Sequence, residues 1–422
     1  MSPSVTDNQA KARAEHVARA AYGRLIAILA KRSGDIAAAE DALADAFAQA
    51  LETWPKNGAP DSPEAWLLTV AKNRQRDVAK SAANKTAAGS LDDESFKMNS
   101  MPTDTAKPHG QDIPDERLKL LFACAHPAID STVHTPLMLQ TVLGLEANEI
   151  ASAYLMPGAT LAQRLVRAKR KIKDARIPFE IPDQSEIKSR LDGVLEAIYG
   201  AYSLSWQDAE NVDVTRDLAK EALYLSTVVT DMLPEEAEAL GLAALVALSM
   251  ARRQARLTAK GVHIPTDQQN TALWDKMLIR RGETLLTRAA AQKAPGRFQI
   301  EATIQLIHCD RANSGLTDWA AIAQLYNGLI AFAPTMGAAV ARAAAVGHAF
   351  GAKAGLNALA TVDAGHANAF QPYWATAAYL HRMAGDESSA QAAYRKAIDL
   401  CTDLPTRKWL ERIAQDKVAS LH

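Results

Sequence analysis

The cationic side chains between positions 160 and 176 are the residues of this sequence whose types and spacing point most directly to chemistry. Seven lysines and arginines stand there against a single acid, Asp174. Gln163, Arg164 and Arg167 fall where a helix presents them to base edges, since Gln pairs with adenine and Arg with guanine through two hydrogen bonds. A solvated helix face would carry charges of both signs, so the pattern favours nucleic-acid binding.

Two short helices and a turn are predicted to position these residues. The first runs from Asn148 to Leu155 and the second from Thr160 to about Asp174, with Met156-Pro157-Gly158-Ala159 between them. Thr160 is expected to cap the second helix, whose first amides would then face a phosphate. The residues expected to seat this helix on its neighbour are apolar: Leu161, Leu165 and Val166. The segment therefore predicts a helix-turn-helix.

A second basic segment precedes it in the chain. Ser62 and Pro63 are typical of an N-cap and a first helical position, and the helix is predicted from about Glu64 to Lys80. Its cationic edge consists of Lys72, Arg74, Arg76 and Lys80. Trp66 packs into a core more often than it stacks on a base, so this segment alone is weak evidence.

An acidic amphipathic helix is predicted between residues 39 and 51. Glu40, Asp41 and Asp45 lie on its polar side, and a break rich in proline and glycine follows at residues 54–60. Physical chemistry alone identifies it as a surface helix or a helix that docks on a partner.

Composition limits the class of protein. The chain has 422 residues, 48% of them hydrophobic and 23% charged, so it can bury a large core, and wholesale disorder or a fibrous structure is excluded. At about 150 residues per domain, roughly three domains are expected. Lys plus Arg number 47 and Asp plus Glu 48. The net charge of -1 excludes indiscriminate coating of DNA.

Other chemistries find no support in the sequence. The three cysteines show no CxxC, and Cys124 with His126 and His134 lacks a fourth zinc ligand, so a buried thiol and a helix-cap histidine are expected instead. No phosphate loop, HExxH or GxSxG is present, and we expect no enzyme, catalytic residue, metal or cofactor. The most apolar stretch, residues 240–250, is shorter than the roughly 20 residues of a membrane span. The start has no apolar core typical of a secretory signal, so a cytoplasmic protein is expected.

The periodicity predicts an all-α, modular chain. Residues 89–112 are polar and are predicted to be a flexible linker. A minor two-stranded hairpin is predicted near residues 256–264. Toward the C-terminus a 34-residue period aligns Gly351 with Gly385, and the last unit has the spacing of a tetratricopeptide (TPR) helix pair. A plain helical bundle is the alternative.

The order of these segments along the chain is diagnostic. An acidic helix, a helix with Trp66, Asn73 and Asp77, a polar linker and a helix-turn-helix together resemble a sigma-70 family RNA polymerase sigma factor. More narrowly, the chain is similar to the extracytoplasmic-function group with a TPR-like, DUF6596-type C-terminal extension. The closest matches are the segments 115–128 and 162–172.

The resemblance implies a division into domains. These are sigma region 2 at residues 1–88, the linker at 89–112, sigma region 4 at 113–180, a helical extension at 185–290 and a TPR-like repeat domain at 291–422. It further implies binding to core RNA polymerase, through its β′ clamp helices and β flap, and to promoter DNA. The extension would bind a soluble protein partner or fold back on the sigma core, with no membrane involved.

The resemblance also implies roles for individual residues. The expected polymerase-binding residues are Glu40, Asp41, Asp45 and Gln49. Recognition of the −10 element would involve the loop 56–62 and Trp66, Asn73, Arg74, Asp77 and Lys80. Recognition of the −35 element would involve Thr160, Gln163, Arg164, Arg167 and Lys171.

The chain departs from this family in places. Asp45 stands where relatives commonly have Gln, and residues 267–270 read Asp-Gln-Gln-Asn where relatives tend to have Asp-Gln-Asp-Arg. Two other hypotheses stay open at the sequence level: a helix-turn-helix regulator that binds operator DNA without polymerase, and a TPR scaffold whose N-terminal half is vestigial. The acidic helix argues against the first, because a plain regulator does not need it. The basic recognition helix argues against the second.

Overall fold

The computed structural model describes residues 21–87, 116–154, 156–205 and 217–415. Within these ranges the regular structure is helical, which confirms the all-α prediction. The chain forms two compact units: Met1–Ala201 with Asp213–Leu218, and Tyr202–Val212 with Ala219–His422. The predicted linker at 89–112 lies outside the described residues.

Three helices open the first unit. They are α1 (the described part is 21–33), α2 (Ile36–Asn57) and α3 (Pro63–Ala87). The Asp35 side chain caps α2 by accepting from the Ala38 amide at 3.1 Å. The helix continues through Pro55 to Asn57, and its C-cap, Gly58, has a φ of 80°, so the predicted break begins later than Trp54. As predicted, α3 begins at Pro63.

Five more helices complete the first unit in the chain order. They are α4 (Arg117–Cys124), α5 (Ser131–Thr141), α6 (Ala147–Ala153), α7 (Gly158–Asp174) and α8 (Gln184–Leu204). Helix α7 begins at Gly158 with Pro157 at its N-cap and no side-chain cap. The expectation that Thr160 caps it is therefore wrong: the N-cap is Pro157, three residues earlier, and the Thr160 amide already donates to Pro157 O at 3.0 Å.

Helix α8 packs against α5. A Cβ at Gly193 would lie 3.5 Å from His134 Nδ1, and one at Gly200 would lie 3.7 Å from Thr135 Cγ2. Both distances are ordinary van der Waals contacts, so α8 and α5 are packed together at these positions. The first compact unit accordingly reaches Ala201.

The second unit contains α9 (Leu218–Met232) to α19 (Leu404–Gln415). The helices between them are α10 (Ala237–Ala251), α11 (Lys276–Ala291), α12 (Arg297–Ser314), α13 (Trp319–Phe332), α14 (Met336–Phe350), α15 (Ala352–Leu359), α16 (Ala364–Ala367), α17 (Gln371–Met383) and α18 (Glu387–Leu400). The very apolar α10 is buried almost all round, with α11 and α12 packed on it. The Glu238 carboxylate of α10 accepts from the Phe298 amide at 2.9 Å and so caps α12.

The predicted hairpin near residue 260 is reduced to a tight turn. It has one antiparallel bridge, between Leu257 and His263, and the Thr258 amide donates to Val262 O at 2.9 Å.

The 34-residue period corresponds to paired helices. Gly351 separates α14 from α15 and Gly385 separates α17 from α18, and both have the positive φ that favours glycine, 93° and 77°. The α14–α15 crossing also requires small residues, because a Cβ at Gly355 would lie 2.8 Å from Gly347 Cα. These two hairpins bury one apolar cluster that includes Leu380, Ala390 and Tyr394.

Candidate nucleic-acid interface

Helix α7 presents the residues predicted to read DNA on its exposed side. Its opposite side is held in the unit by Leu161, Leu165, Ala168, Lys169 and Ile172, all buried. All five predicted −35 residues are exposed: Thr160, Gln163, Arg164, Arg167 and Lys171. They span three turns of one continuous helix, so a major groove could receive them together.

Val166 differs from its prediction. It was expected to seat α7 in the core, but its side chain is 66% exposed. The reason is angular: Leu161, Leu165, Ala168 and Ile172 already complete the buried stripe, and Val166 falls outside it. An apolar side chain therefore lies on the same face as Gln163, where a methyl group of thymine is the base feature it can contact.

Two cations of the basic cluster are engaged within the protein. Lys169 Nζ lies 2.7 Å from each carboxylate oxygen of Glu40, and Lys173 Nζ lies 2.9 Å from Asp35 Oδ2. Arg170 pairs with Asp174 at 3.4 Å along α7 and is 80% exposed. The uniform cationic surface read from the sequence is thus divided into an exposed side and a side that contacts α2.

Helix α3 carries the predicted −10 residues. Trp66 is half-buried, and its ring meets that of Trp54 edge-on at 5.5 Å between centroids. Asn73 Oδ1 accepts from Arg76 Nη2 at 2.6 Å. Asn73, Arg74, Asp77 and Lys80 are exposed. Trp66 therefore serves both the core and the surface.

Helix α2 carries the predicted polymerase-binding residues, and they have different surroundings. Asp41, Asp45 and Gln49 are exposed, and Asp45 Oδ2 pairs with Arg74 Nε at 2.6 Å. Glu40 is mostly covered: burial raises its pKa while Lys169 acts in the opposite direction. The pairing of Glu40 with a residue 129 positions away left no signal in the sequence.

A ring stack in the second unit was also missed by sequence reasoning. Trp319 stacks on His348 at 4.0 Å, His348 stacks on Tyr379 at 4.9 Å, and His308 meets Trp319 edge-on at 5.4 Å. Burial lowers the pKa of His308 to about 3. Four helices contribute one ring each, so no local pattern announces the cluster.

The cysteines and histidines show no cluster fit to hold a metal ion within the described part of the chain. Cys124 is buried, and burial raises its pKa to about 12. His126 Nδ1 accepts from the Ala128 amide at 3.1 Å, a turn-capping contact. No helix in the described ranges is long and apolar enough to cross a bilayer.

Comparisons with known proteins bear on the family of this chain. Residues 17–84 match the family model for sigma-70 region 2, and residues 190–290 match DUF6596, a family of unknown function. An uncharacterized protein of Rhizobium meliloti (strain 1021) is 31% identical over 389 residues, 90% of each chain. The chain belongs to the sigma-70 family. The match to DUF6596 also confirms the DUF6596-type extension that the sequence resemblance implied.

A second relative bears on the function of this sigma-70 family member. A probable RNA polymerase sigma factor, RfaY of Xanthomonas campestris pv. campestris, is 25% identical over 162 residues, which is 36% of this chain and 40% of that protein. No solved structure matches the chain. A sigma-70 region 2 implies binding to core RNA polymerase.

Proposed function

We propose that this protein directs core RNA polymerase to specific promoters as an extracytoplasmic-function-type sigma factor. The observation that carries the proposal is the exposed, cation-rich face of α7 in a chain whose residues 17–84 match sigma-70 region 2. One element reads duplex DNA and the other binds polymerase, and this combination distinguishes a sigma factor from a simple regulator.

In this proposal α7 reads the −35 element in the major groove. Gln163, Arg164 and Arg167 contact base edges, while Thr160 and Lys171 contact the backbone near the two ends of the exposed face. Their common exposure on one helix supports the assignment.

Helix α3 and the loop before it act on the −10 element. The half-buried Trp66 offers a stacking surface for an unpaired base, and Asn73, Arg74, Asp77 and Lys80 supply polar contacts. The Asp45–Arg74 pair is exposed on both sides and contributes at most about 1 kcal/mol, so DNA or polymerase can displace it.

Polymerase binding uses the polar side of α2 and a surface of region 4. Asp41, Asp45 and Gln49 contact the β′ clamp helices, and Glu40 joins them when it is released from Lys169. The region around α4 and α5 binds the β flap. Both contacts belong to a cytoplasmic protein.

The second unit serves regulation. Its helical hairpins are of the TPR-like kind that binds partner proteins, and we assign to it a soluble protein partner that changes promoter activity.

Transcription in vitro tests the proposal. Purified core polymerase with this protein should yield promoter-specific transcripts from a promoter library, and Gln163→Ala with Arg167→Ala should abolish them. Lys353→Ala, an exposed cation of the second unit, is the control and should leave them intact. The absence of any specific product, even from a chain truncated after Ser205, contradicts the proposal.

The alternative is a helix-turn-helix regulator that acts without polymerase. Asp41→Lys discriminates between the two, because Asp41 is exposed on α2. The sigma factor would use it to bind polymerase, whereas operator binding by a regulator would not involve it. Loss of β′ in a pull-down favours the sigma factor, whereas tight operator binding with no polymerase requirement favours the regulator.

A further inference from the structure

Two arginines of the second unit converge on one residue of the loop between α10 and α11. Arg252, directly after α10, donates from Nη1 to Thr266 Oγ1 at 3.4 Å. Arg311, near the end of α12, donates from Nη2 to Thr266 O at 2.9 Å and to Gln269 O at 2.6 Å. The two guanidinium groups are therefore close neighbours, and these partners are all neutral.

Both guanidinium groups are largely removed from water. Arg252 is 5% exposed, and its Nη2 donates to another neutral group, Gln305 Oε1. Arg311 is half-buried, and its guanidinium lies over the Trp274 ring, 5.0 Å from the centroid. The Nε–H groups of both arginines are buried and find no acceptor among the described residues. Each arginine thus keeps one buried donor that this part of the chain does not satisfy.

The electrostatic surroundings of the two arginines contain no compensating acid in the described part of the chain. Burial is the main cause that lowers the pKa of Arg252, and the charged or ionisable groups that act on it are Cys309, Tyr202 and Arg311. His308 senses the same field. After burial, the two arginines are the largest causes that lower its pKa, and no carboxylate opposes them.

The acids next to these residues in the chain have other neighbours. Asp267 is exposed, and its charge acts on His348 and Tyr379. Asp310 is exposed and accepts from Asn313 Nδ2 at 3.4 Å. Two covered positive charges among neutral groups are costly, and an anion between them removes most of that cost.

The available donors fit a small oxyanion. Two Nε–H groups from separate arginines can each donate to a different oxygen of one phosphate or carboxylate group, and such charge-assisted hydrogen bonds are strong. Thr266, Gln305 and Arg311 are only half-buried. The place where the arginines meet is therefore close to the surface, within reach of a free anion.

We propose that Arg252 and Arg311 form a binding site for a small free oxyanion, a phosphate or a carboxylate, which joins the end of α10, the loop at Thr266 and α12. All residues of this site lie in the second unit, and the site is independent of the proposed function. The bound anion stabilises the second unit in a saturable way, because it binds the folded chain alone.

Titration calorimetry of the full-length chain with inorganic phosphate, and separately with acetate, tests the site. Gln305→Glu supplies a carboxylate from the protein itself, because Gln305 Oε1 already accepts from Arg252. Affinity for the anion should fall about tenfold or more, and the unfolding temperature without phosphate should rise above that of the parent. Gln292→Glu, the same charge change on an exposed residue after α11, is the matched control and should bind like the parent.

Arg311→Gln tests the site by a different route. It keeps an amide donor for Thr266 O but removes the charge, so affinity for the anion should again fall about tenfold or more. Arg280→Gln, which removes an exposed cation of α11, should leave the affinity unchanged. This pair of variants decides the question if Gln305→Glu does not fold.

The variants also separate binding from a general effect of salt. Concentrated phosphate stabilises proteins without occupying a site, and that effect is common to parent and variants. Loss of binding in the two site variants and its retention in the two controls supports the site, and the tighter of the two anions identifies its class. Equal affinities in the parent and both site variants, or no binding of either anion by the parent, would overturn it.

Discussion

At the residue scale, the proposed DNA-reading surface depends on which side of α7 each residue occupies. Gln163, Arg164 and Val166 are exposed, whereas Lys169 is covered by Glu40. The exposed residues are free to contact bases, and the covered lysine acts inside the protein. Neighbouring residues on one helix thus have different surroundings.

Arg164→Ala is expected to weaken promoter binding by about 1–3 kcal/mol and to relax specificity at one position of the −35 element, because a base contact is lost. The measurement is holoenzyme binding to promoters that vary at single base pairs, with Lys353→Ala as control. A loss of equal size on every sequence would instead identify Arg164 as a phosphate contact.

His308 predicts an acid sensitivity of the second unit. Burial holds its pKa at about 3, below the value of about 6.5 in an unfolded chain. Between these values the unfolded chain binds more protons, so stability is full above pH 6.5 and falls as pH decreases. At pH 5.5 the loss due to His308 should be about 1.4 kcal/mol.

Denaturant unfolding of the full chain at pH 7 and pH 5.5 measures this effect. His308→Gln should remove about that much of the pH dependence, and part should remain because burial also lowers the pKa of His263 and His348. His381→Gln, in the partly exposed last turn of α17, is the control. An identical pH slope in parent and His308→Gln would contradict the assignment.

At the element scale, the helical hairpins of the second unit depend on close backbone approach. Gly347 and Gly355 lie at the α14–α15 crossing, with Leu380 of α17 against both. Side chains at these two positions would displace the helices, so glycine is required by packing rather than by backbone conformation.

Gly355→Ala is expected to destabilise the chain by about 1–3 kcal/mol through overpacking. Gly337→Ala on α14 is the matched control, since its Cβ would come no closer than 4.0 Å to Thr335 Oγ1. It should be neutral or stabilising by up to about 1 kcal/mol, as alanine favours a helix. The denaturant midpoints of both variants measure these effects. Equal midpoints would show that the α14–α15 crossing accommodates the added methyl group without loss of stability.

At the whole-molecule scale, α8 decides where the sigma portion can be cut. It packs on α5 and lies in the first compact unit up to Ala201, and its residues from 190 onward also fall within the match to DUF6596. Separation of the extension for functional tests must therefore leave α8 in place.

Truncation after Ser205 should yield a folded first unit, whereas truncation after Pro182 should give a less stable one, because the α5 surface beneath α8 becomes exposed. Thermal unfolding of the two fragments makes the comparison. Equal unfolding temperatures would show that α8 does not stabilise the sigma portion.

The sequence by itself determined the helices and their order. Periodicity, the Ser62-Pro63 helix start and the turn before α7 are local signals, and the structure confirms the all-α prediction and the start of α3. The five residues predicted to read the −35 element lie exposed on one helix, and their role in DNA binding stays a prediction. Thr160 as a cap and Val166 as a core residue were wrong, because a helix start and a buried stripe depend on atoms several residues away.

Only the tertiary structure decided what each charge does. Lys169 and Arg170 are adjacent cations with the same local pattern, yet one is covered by Glu40 and the other is exposed. The ring stack around His348 likewise draws on four separate helices. Pairings across more than 100 residues leave no periodic trace, since they arise when packed helices bring distant side chains into one low-dielectric contact.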